Sequence, residues 1–224
     1  MIVNYWQKES MPYSWYPKNI TEDWCGTDQP SSKDPNWSFP ITYNFNSQGF
    51  RTHDFDIALT QKVNVALGCS HTLGIGLPTE MTWPSQIEKQ TSMPTLNLGL
   101  GGGSSDTVAR ILTNISGLFN LATVYILWPV KHRFEYYSND GINAILPGNS
   151  ELEYAWYMDE QNSLERFTKN KSIVHHLQKL YQFDLKEIHM GDPWPIPGDL
   201  ARDRAHNGIK SNLNLANLFL TMHE

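Results

Sequence analysis

A chain of 224 residues, 40% apolar and 18% charged, suffices for one domain with a substantial core. Its net charge of −6, with no basic cluster, argues against nucleic acid, whose phosphates demand a positive patch. Two cysteines, Cys25 and Cys69, exclude a disulfide framework and a CxxC zinc site, and no run approaches the roughly 20 apolar residues of a membrane span.

The opening "MIVNYWQKESMPYSWY" lacks the basic start and apolar stretch of a secretory leader. A cytoplasmic product is therefore expected, although a phage-encoded or virion-associated one would look the same. Residues 1–40 hold Trp6, Trp15, Trp24 and Trp37 among prolines, asparagines and serines. They read as an irregular extension pinned to the main body by aromatic anchors, with a sugar-stacking platform as the alternative. Residues 41–224 read as the main domain.

There "KVNVALG" (62–68) alternates as a strand, and a helix is predicted near 81–90 with Thr82 as cap and Pro84 in its first turn. "PTLNLGL" (94–100) is a second strand, running into "GLGGGSSD". Behind the start signal Ser104-Ser105-Asp106, helical spacing places Val108, Ile111, Leu112, Ile115, Leu118 and Phe119 on one face. "ATVYILW" (122–128) is a third strand, apolar enough to be covered on both sides. Turn signals follow at Asn139-Asp140-Gly141 and Pro147-Gly148. Leu164, Phe167, Ile173, Val174, Leu177, Leu180 and Tyr181 mark a long helix, "DLKEIHM" (184–190) a fourth strand, 191–208 a loop and 212–222 a final helix.

Strands alternating with helices predict parallel pairing with right-handed crossovers, and hence an α/β/α three-layer sandwich that binds ligands at the carboxyl ends of its strands. Ser70, the glycine run and the 191–208 loop all fall at such ends. A serine hydroxyl needs exposure, a base and a partner that orients the base. Gly68-Cys69-Ser70-His71-Thr72 offers a tight turn, and Asp203 and His206, three residues apart, offer the carboxylate and the imidazole. The glycines of "NLGLGGGSSD" allow backbone N–H groups to approach an oxyanion. A dinucleotide fingerprint fits poorly, since from Gly99 the last G-x-G-x-x-G position is Ser104 and the preceding strand is the second one.

In this order the residues resemble the SGNH/GDSL hydrolase family of serine esterases and lipases. Gly68-Cys69-Ser70-His71-Thr72 is similar to its G-D-S-x-T block, Asn97 to Gly102 to its N-x-G-x-x-G block, and Asp203-Arg204-Ala205-His206 to its D-x-x-H block. "YNFNSQGFR" (43–51) is similar to a segment preceding the first block in some bacterial and phage members. The resemblance spans about residues 41–222 and implies a flavodoxin-like fold. It also implies Ser70 as nucleophile, His206 as general base, Asp203 as its orienting partner, and the Ser70 and Gly102 N–H groups as oxyanion donors.

Two positions depart from the family pattern. Cys69 stands where the first block has aspartate, and no G-x-N-D block follows the third strand, where "LWPVKHRFEYY" is found. The third oxyanion donor is then Asn139, His132 or Arg133, or is missing, which costs about a hundred- to thousand-fold in turnover. His71, Arg51 and Arg133 are candidates for substrate contact, with packing as the alternative for His71 and an ion pair for the arginines. His175 and His176 are expected at the surface.

The resemblance implies a serine esterase acting on a small acyl ester, with O-acetyl on a carbohydrate as the expected substrate and no metal or organic cofactor. A non-catalytic carbohydrate-binding or structural protein of the same fold is the alternative from another class. An O-acyltransferase using the same serine is a third.

Overall fold

The computed structural model describes residues 14, 16–31, 33–138, 141–145, 155, 159–191 and 198–222. In chain order its elements are β1 (Ile20–Glu22), β2 (Tyr43–Phe45), α1 (Asp56–Thr60), β3 (Val63–Leu67), α2 (Ser70–Leu73), α3 (Trp83–Thr91), β4 (Thr95–Asn97) and α4 (Ser105–Ile115). There follow β5 (Leu121–Trp128), β6 (Phe134–Ser138), β7 (Gly141–Ile145), α5 (Glu160–Tyr181), β8 (Asp184–His189) and α6 (Ile209–Thr221).

Among the described residues, four strands form a parallel sheet in the order β4-β3-β5-β8. Alternation along each strand divides the core in two. Val63, Val65, Leu67, Val124, Ile126 and Trp128 pack with Val108, Ile111, Leu112 and Ile115 of α4 and Val174 and Leu177 of α5. Ala66, Tyr125, Leu127 and Ile188 face Trp83 and Ile87 of α3 and Leu215, Ala216 and Phe219 of α6. These are the three layers of the expected α/β/α sandwich.

Several boundaries differ from the sequence reading. α4 stops at Ile115; Leu118 lies beyond it and is exposed, while Phe119 turns back to meet Phe55 edge-on. α5 buries Ser163, Asn170, Val174 and Leu177, whereas Leu164, Ile173, Leu180 and Tyr181 are exposed. The buried face is set by Asn170, whose amide donates to Ser105 Oγ at 2.9 Å and Asp106 Oδ1 at 2.8 Å, an anchor invisible to apolar periodicity. β4 is three residues long, although Leu98 N–H and Leu100 N–H still donate to Ala66 and Gly68. α6 begins at Ile209, ahead of the predicted 212, because Asp199 accepts from Lys210 N–H and Ser211 N–H and caps its first turn.

Residues 14–45 pack on the turn after α2: Cys25, Ile41, Tyr43 and Phe45 join Leu73 and Ile75 in a small third cluster flanked by Tyr16, Ile20 and Trp37. Trp24 is exposed, and Trp6 and Trp15 lie outside the described residues. β6 and β7 form an antiparallel hairpin across the predicted Asn139-Asp140 turn, whose residues lie outside the described set, as do Pro147 and Gly148. No helix among the described residues is long and apolar enough to cross a membrane.

Candidate active site

The chain leaves β3 toward β4 on one side and leaves β5 toward β8 on the other. That reversal opens a crevice at the carboxyl ends of β3 and β5, where open α/β sheets bind ligands. Ser70 lies there, as the first residue of α2. The turn before it demands glycine: Gly68 has φ +155°, and a Cβ there would stand 2.2 Å from Thr72 Oγ1 and 2.7 Å from Leu127 O. Cys69 is fully buried with its Sγ 3.5 Å from Met190 Sδ, so the thiol faces sulfur and not the crevice. Ser70 is 7% exposed, and its hydroxyl makes no hydrogen bond to another described residue, His206 included.

The glycine run lies against this turn. Asn97 braces it by donating from Nδ2 to Thr72 O at 2.8 Å and accepting from Gly99 N–H at 3.1 Å. A Cβ on Gly103 would meet Gly68 O at 3.1 Å, which shows how closely the two backbones approach. Among the described residues, neither Ser70 N–H nor Gly102 N–H has an acceptor. Behind the run, Ser104 caps α4 by accepting from Asp106 N–H and Thr107 N–H, while Thr107 Oγ1 accepts from Ser104 N–H.

Asp203 and His206 come together in the loop before α6. His206 Nδ1 is 2.6 Å from Asp203 Oδ2, and Asp203 Oδ1 accepts from Ala205 N–H and His206 N–H, each at 3.1 Å. Thr27 Oγ1 adds a bond to Asp203 Oδ2 at 2.5 Å. Burial alone would raise the Asp203 carboxyl, but the bonds from His206 and Thr27, the His206 charge and Ala205 N–H outweigh it and bring it down to about 2. The loop is closed by Ala201 N–H to His206 O and Gly208 N–H to Asp199 O, and Arg202 N–H donates to Gly76 O just beyond α2.

His71 lies between the two halves, its ring centroid 4.7 Å from that of His206. Burial first, then the positive charges of His206 and Arg133, push its imidazole down to about 3. It is therefore neutral at physiological pH. Arg133 is half-buried beside it, and Arg133 Nη1 is enclosed with no hydrogen-bond partner among the described residues. His132 lines a largely apolar cavity of about 660 Å³ with Val130, Leu164, Phe167 and Met190. Asn139 lies outside the described residues.

Arg51 corrects the sequence reading. It is 1% exposed, and its guanidinium donates to Gly74 O and Leu77 O at 2.8 Å, Thr42 O at 3.0 Å and Leu73 O at 3.5 Å. It braces the turn after α2 from a buried position and makes no ion pair among the described residues. His175 and His176 are exposed as expected, His175 bonding Glu187 at 2.8 Å.

No family model matches the chain, and no curated protein matches it. Solved structures do. A lipolytic protein of the G-D-S-L family from Desulfitobacterium hafniense is similar at 14% identity over 70% of this chain and 95% of its own, with a TM-score of 0.38. A carbohydrate esterase family 2 enzyme with a carbohydrate-binding domain, from Corynascus thermopiles (Myceliophthora fergusii), is similar at 12% identity over 73% of this chain and 66% of its own, with a TM-score of 0.45. An acylhydrolase from Bacteroides fragilis is similar at 14% identity over 72% and 86%, with a TM-score of 0.34.

One sheet edge thus carries a hydroxyl, an imidazole bonded to an ionised carboxylate, and two N–H groups that have no acceptor among the described residues. Sequence reasoning missed Thr27, which reaches Asp203 across 176 positions and carries no local signal.

Proposed function

We propose that the chain is a serine ester hydrolase. The observation that carries this reading is the His206–Asp203 pair at the crevice that holds Ser70. In this mechanism His206 Nε2 takes the Ser70 proton as Oγ attacks the ester carbonyl, and Asp203 holds the Nδ1–H tautomer and stabilises the imidazolium. The Ser70 and Gly102 N–H groups receive the oxyanion, with Arg133 as the third donor in place of the absent asparagine. His206 then protonates the leaving alcohol, and water, activated by the same imidazole, releases the acid from the acyl-enzyme. His71, packed on His206 and uncharged, belongs to the wall that substrate meets. The proposed substrate is a small acyl ester, in particular an O-acetyl group on a carbohydrate. No cofactor enters the scheme.

The test is labelling by a fluorophosphonate, with peptide mapping and Ser70→Ala and His206→Ala as controls. Modification at Ser70, absent in both variants, is the expected result; hydrolysis of acetylated saccharides and of p-nitrophenyl esters of graded chain length then identifies the acyl group. Absence of labelling in folded protein refutes the reading. One observation favours a second reading, a glycan-binding protein that keeps the fold: Ser70 Oγ lacks a hydrogen bond to His206. In that case labelling is absent while acetylated glycans still bind.

A further inference from the structure

Asp203 has room for about four hydrogen bonds on its two oxygens, and four are made. Three come from its own turn. The fourth, from Thr27, comes from the segment that precedes the sandwich, and it shares Oδ2 with His206 Nδ1.

Thr27 is not held there by chance contact. The next residue, Asp28, is fully buried and accepts from Arg202 Nε at 2.7 Å and Nη2 at 2.5 Å, so positions 27–28 meet 202–203 side by side. Tyr43 OH donates to Asp28 Oδ2 at 2.6 Å and accepts from Gly76 N–H at 2.8 Å, and Asp34 N–H donates to Arg202 O at 2.7 Å. Tyr16 lies against the glycine run, since a Cβ on Gly101 would stand 2.2 Å from its hydroxyl. One segment thus anchors the turn after Ser70, the glycine run and the Asp203–His206 loop.

We infer that Thr27 is a positioning residue for the Asp203–His206 pair, acting through Asp203 Oδ2, and that the segment bearing it is part of the active site. Its hydroxyl holds the carboxylate in the plane of the imidazole and draws off part of the negative charge that otherwise falls on the Nδ1–H bond. Without it the carboxylate rotates more freely, and Oδ2 turns its full charge on the Nδ1–H bond. The other groups around the pair remain in place when this hydroxyl is removed: His71 on α2, Arg133 beyond it, the Arg202–Asp28 pair and the exposed Arg204–Asp34 pair at 3.5 Å.

The kinetic part of this inference rests on the hydrolase reading, but the spectroscopic part does not. The His206 Nδ1–H proton resonance is recorded by NMR in wild type, Thr27→Val and Thr27→Ser. Thr27→Val should shift it, because Oδ2 then faces Nδ1–H alone, and Thr27→Ser, which keeps the hydroxyl, should match wild type. With p-nitrophenyl acetate, Thr27→Val should lower kcat about tenfold or more at unchanged KM, and Thr27→Ser should restore most of it. An unmoved His206 Nδ1–H resonance in Thr27→Val overturns the inference. So does a Thr27→Ser variant as impaired as Thr27→Val, because the methyl would then be what matters. If Thr27→Val does not fold, Thr27→Ala is recorded instead and judged by the same resonance. A wild type that neither labels nor hydrolyses refutes the hydrolase reading alone, since the resonance needs no substrate.

Discussion

The Asp28–Arg202 pair is where the structure makes its largest single stability claim. Asp28 is 0% exposed and accepts three charge-assisted hydrogen bonds, two from Arg202 and one from Tyr43. Asp28→Ala leaves the enclosed Arg202 guanidinium with only Asp23 O at 3.2 Å, and leaves the Tyr43 hydroxyl without its acceptor. Breaking a buried pair from one side costs about 3–5 kcal/mol. For a chain of this size that is a fall of about 6–20 °C in Tm, at about 2–4 °C per kcal/mol. Asp28→Asn, which keeps the shape and one acceptor, should fall at the low end. The assay is urea unfolding followed by circular dichroism for both variants, Arg202→Met and the double variant Asp28→Leu/Arg202→Met. The double variant leaves no orphan charge and should recover much of the loss. An Asp28→Ala variant within about 1 kcal/mol of wild type refutes the reasoning, and so does a double variant no better than the worse single one.

Two further predictions concern the crevice. Because His71 titrates near 3 in the fold and near 6.5 when unfolded, its protonation favours the unfolded chain. Its share of stability is whole above pH 6.5 and is lost as pH falls from there toward 3, so His71→Asn should flatten the stability profile in that window. Equal slopes for wild type and variant, measured by urea unfolding at pH 7, 6, 5 and 4, would show that His71 is not held neutral. Arg133→Leu should lower kcat about a hundredfold or more and slow fluorophosphonate labelling, with KM changed far less, as expected for a donor engaged mainly with the oxyanion. A change confined to KM would move Arg133 to ground-state binding.

Local pattern revealed the scaffold where pattern is what builds it. Val63, Val65 and Leu67 alternate because all three project to the α4–α5 side of β3, and Ser104 announces α4 because its hydroxyl has two orphan N–H groups to satisfy. Ser70, Asp203 and His206 stand out because each lies in a short motif; the structure puts Ser70 just after β3 and pairs His206 with Asp203 in the loop before α6. α5 was legible as a helix but not in its facing, since Asn170 and Ser163 occupy its buried side where apolar residues would announce it. Arg51 was misread for a similar reason: an arginine bonded to four carbonyls looks, in sequence, like one awaiting an anion. Thr27, Asp28, Tyr16 and Tyr43 were legible only as polar or aromatic residues in an irregular segment. Contacts across up to 176 positions leave no periodicity and no spacing.

That last group explains how loops at an open sheet edge keep their geometry. Beyond the ends of β3 and β4 only Leu98 N–H to Ala66 O and Leu100 N–H to Gly68 O continue the pairing, so the sheet fixes little of the loop backbone around Ser70, Gly102 and Asp203. Glycines suit these turns by removing side chains, but the same freedom lets the loops wander. They are therefore held from outside: Tyr16 packs on Gly101, while Gly76 is bonded by Tyr43, Arg202 by Asp28, and Asp203 by Thr27. Burying a charged pair and two tyrosine hydroxyls is a costly way to add stability, since well-packed apolar residues do as well. It is an effective way to fix register, because every partner is directional and a shift of an ångström breaks several bonds at once. The polar character of the clamp is thus better explained by the precision that the proposed acid–base chemistry would require of Asp203 and His206 than by stability of the fold.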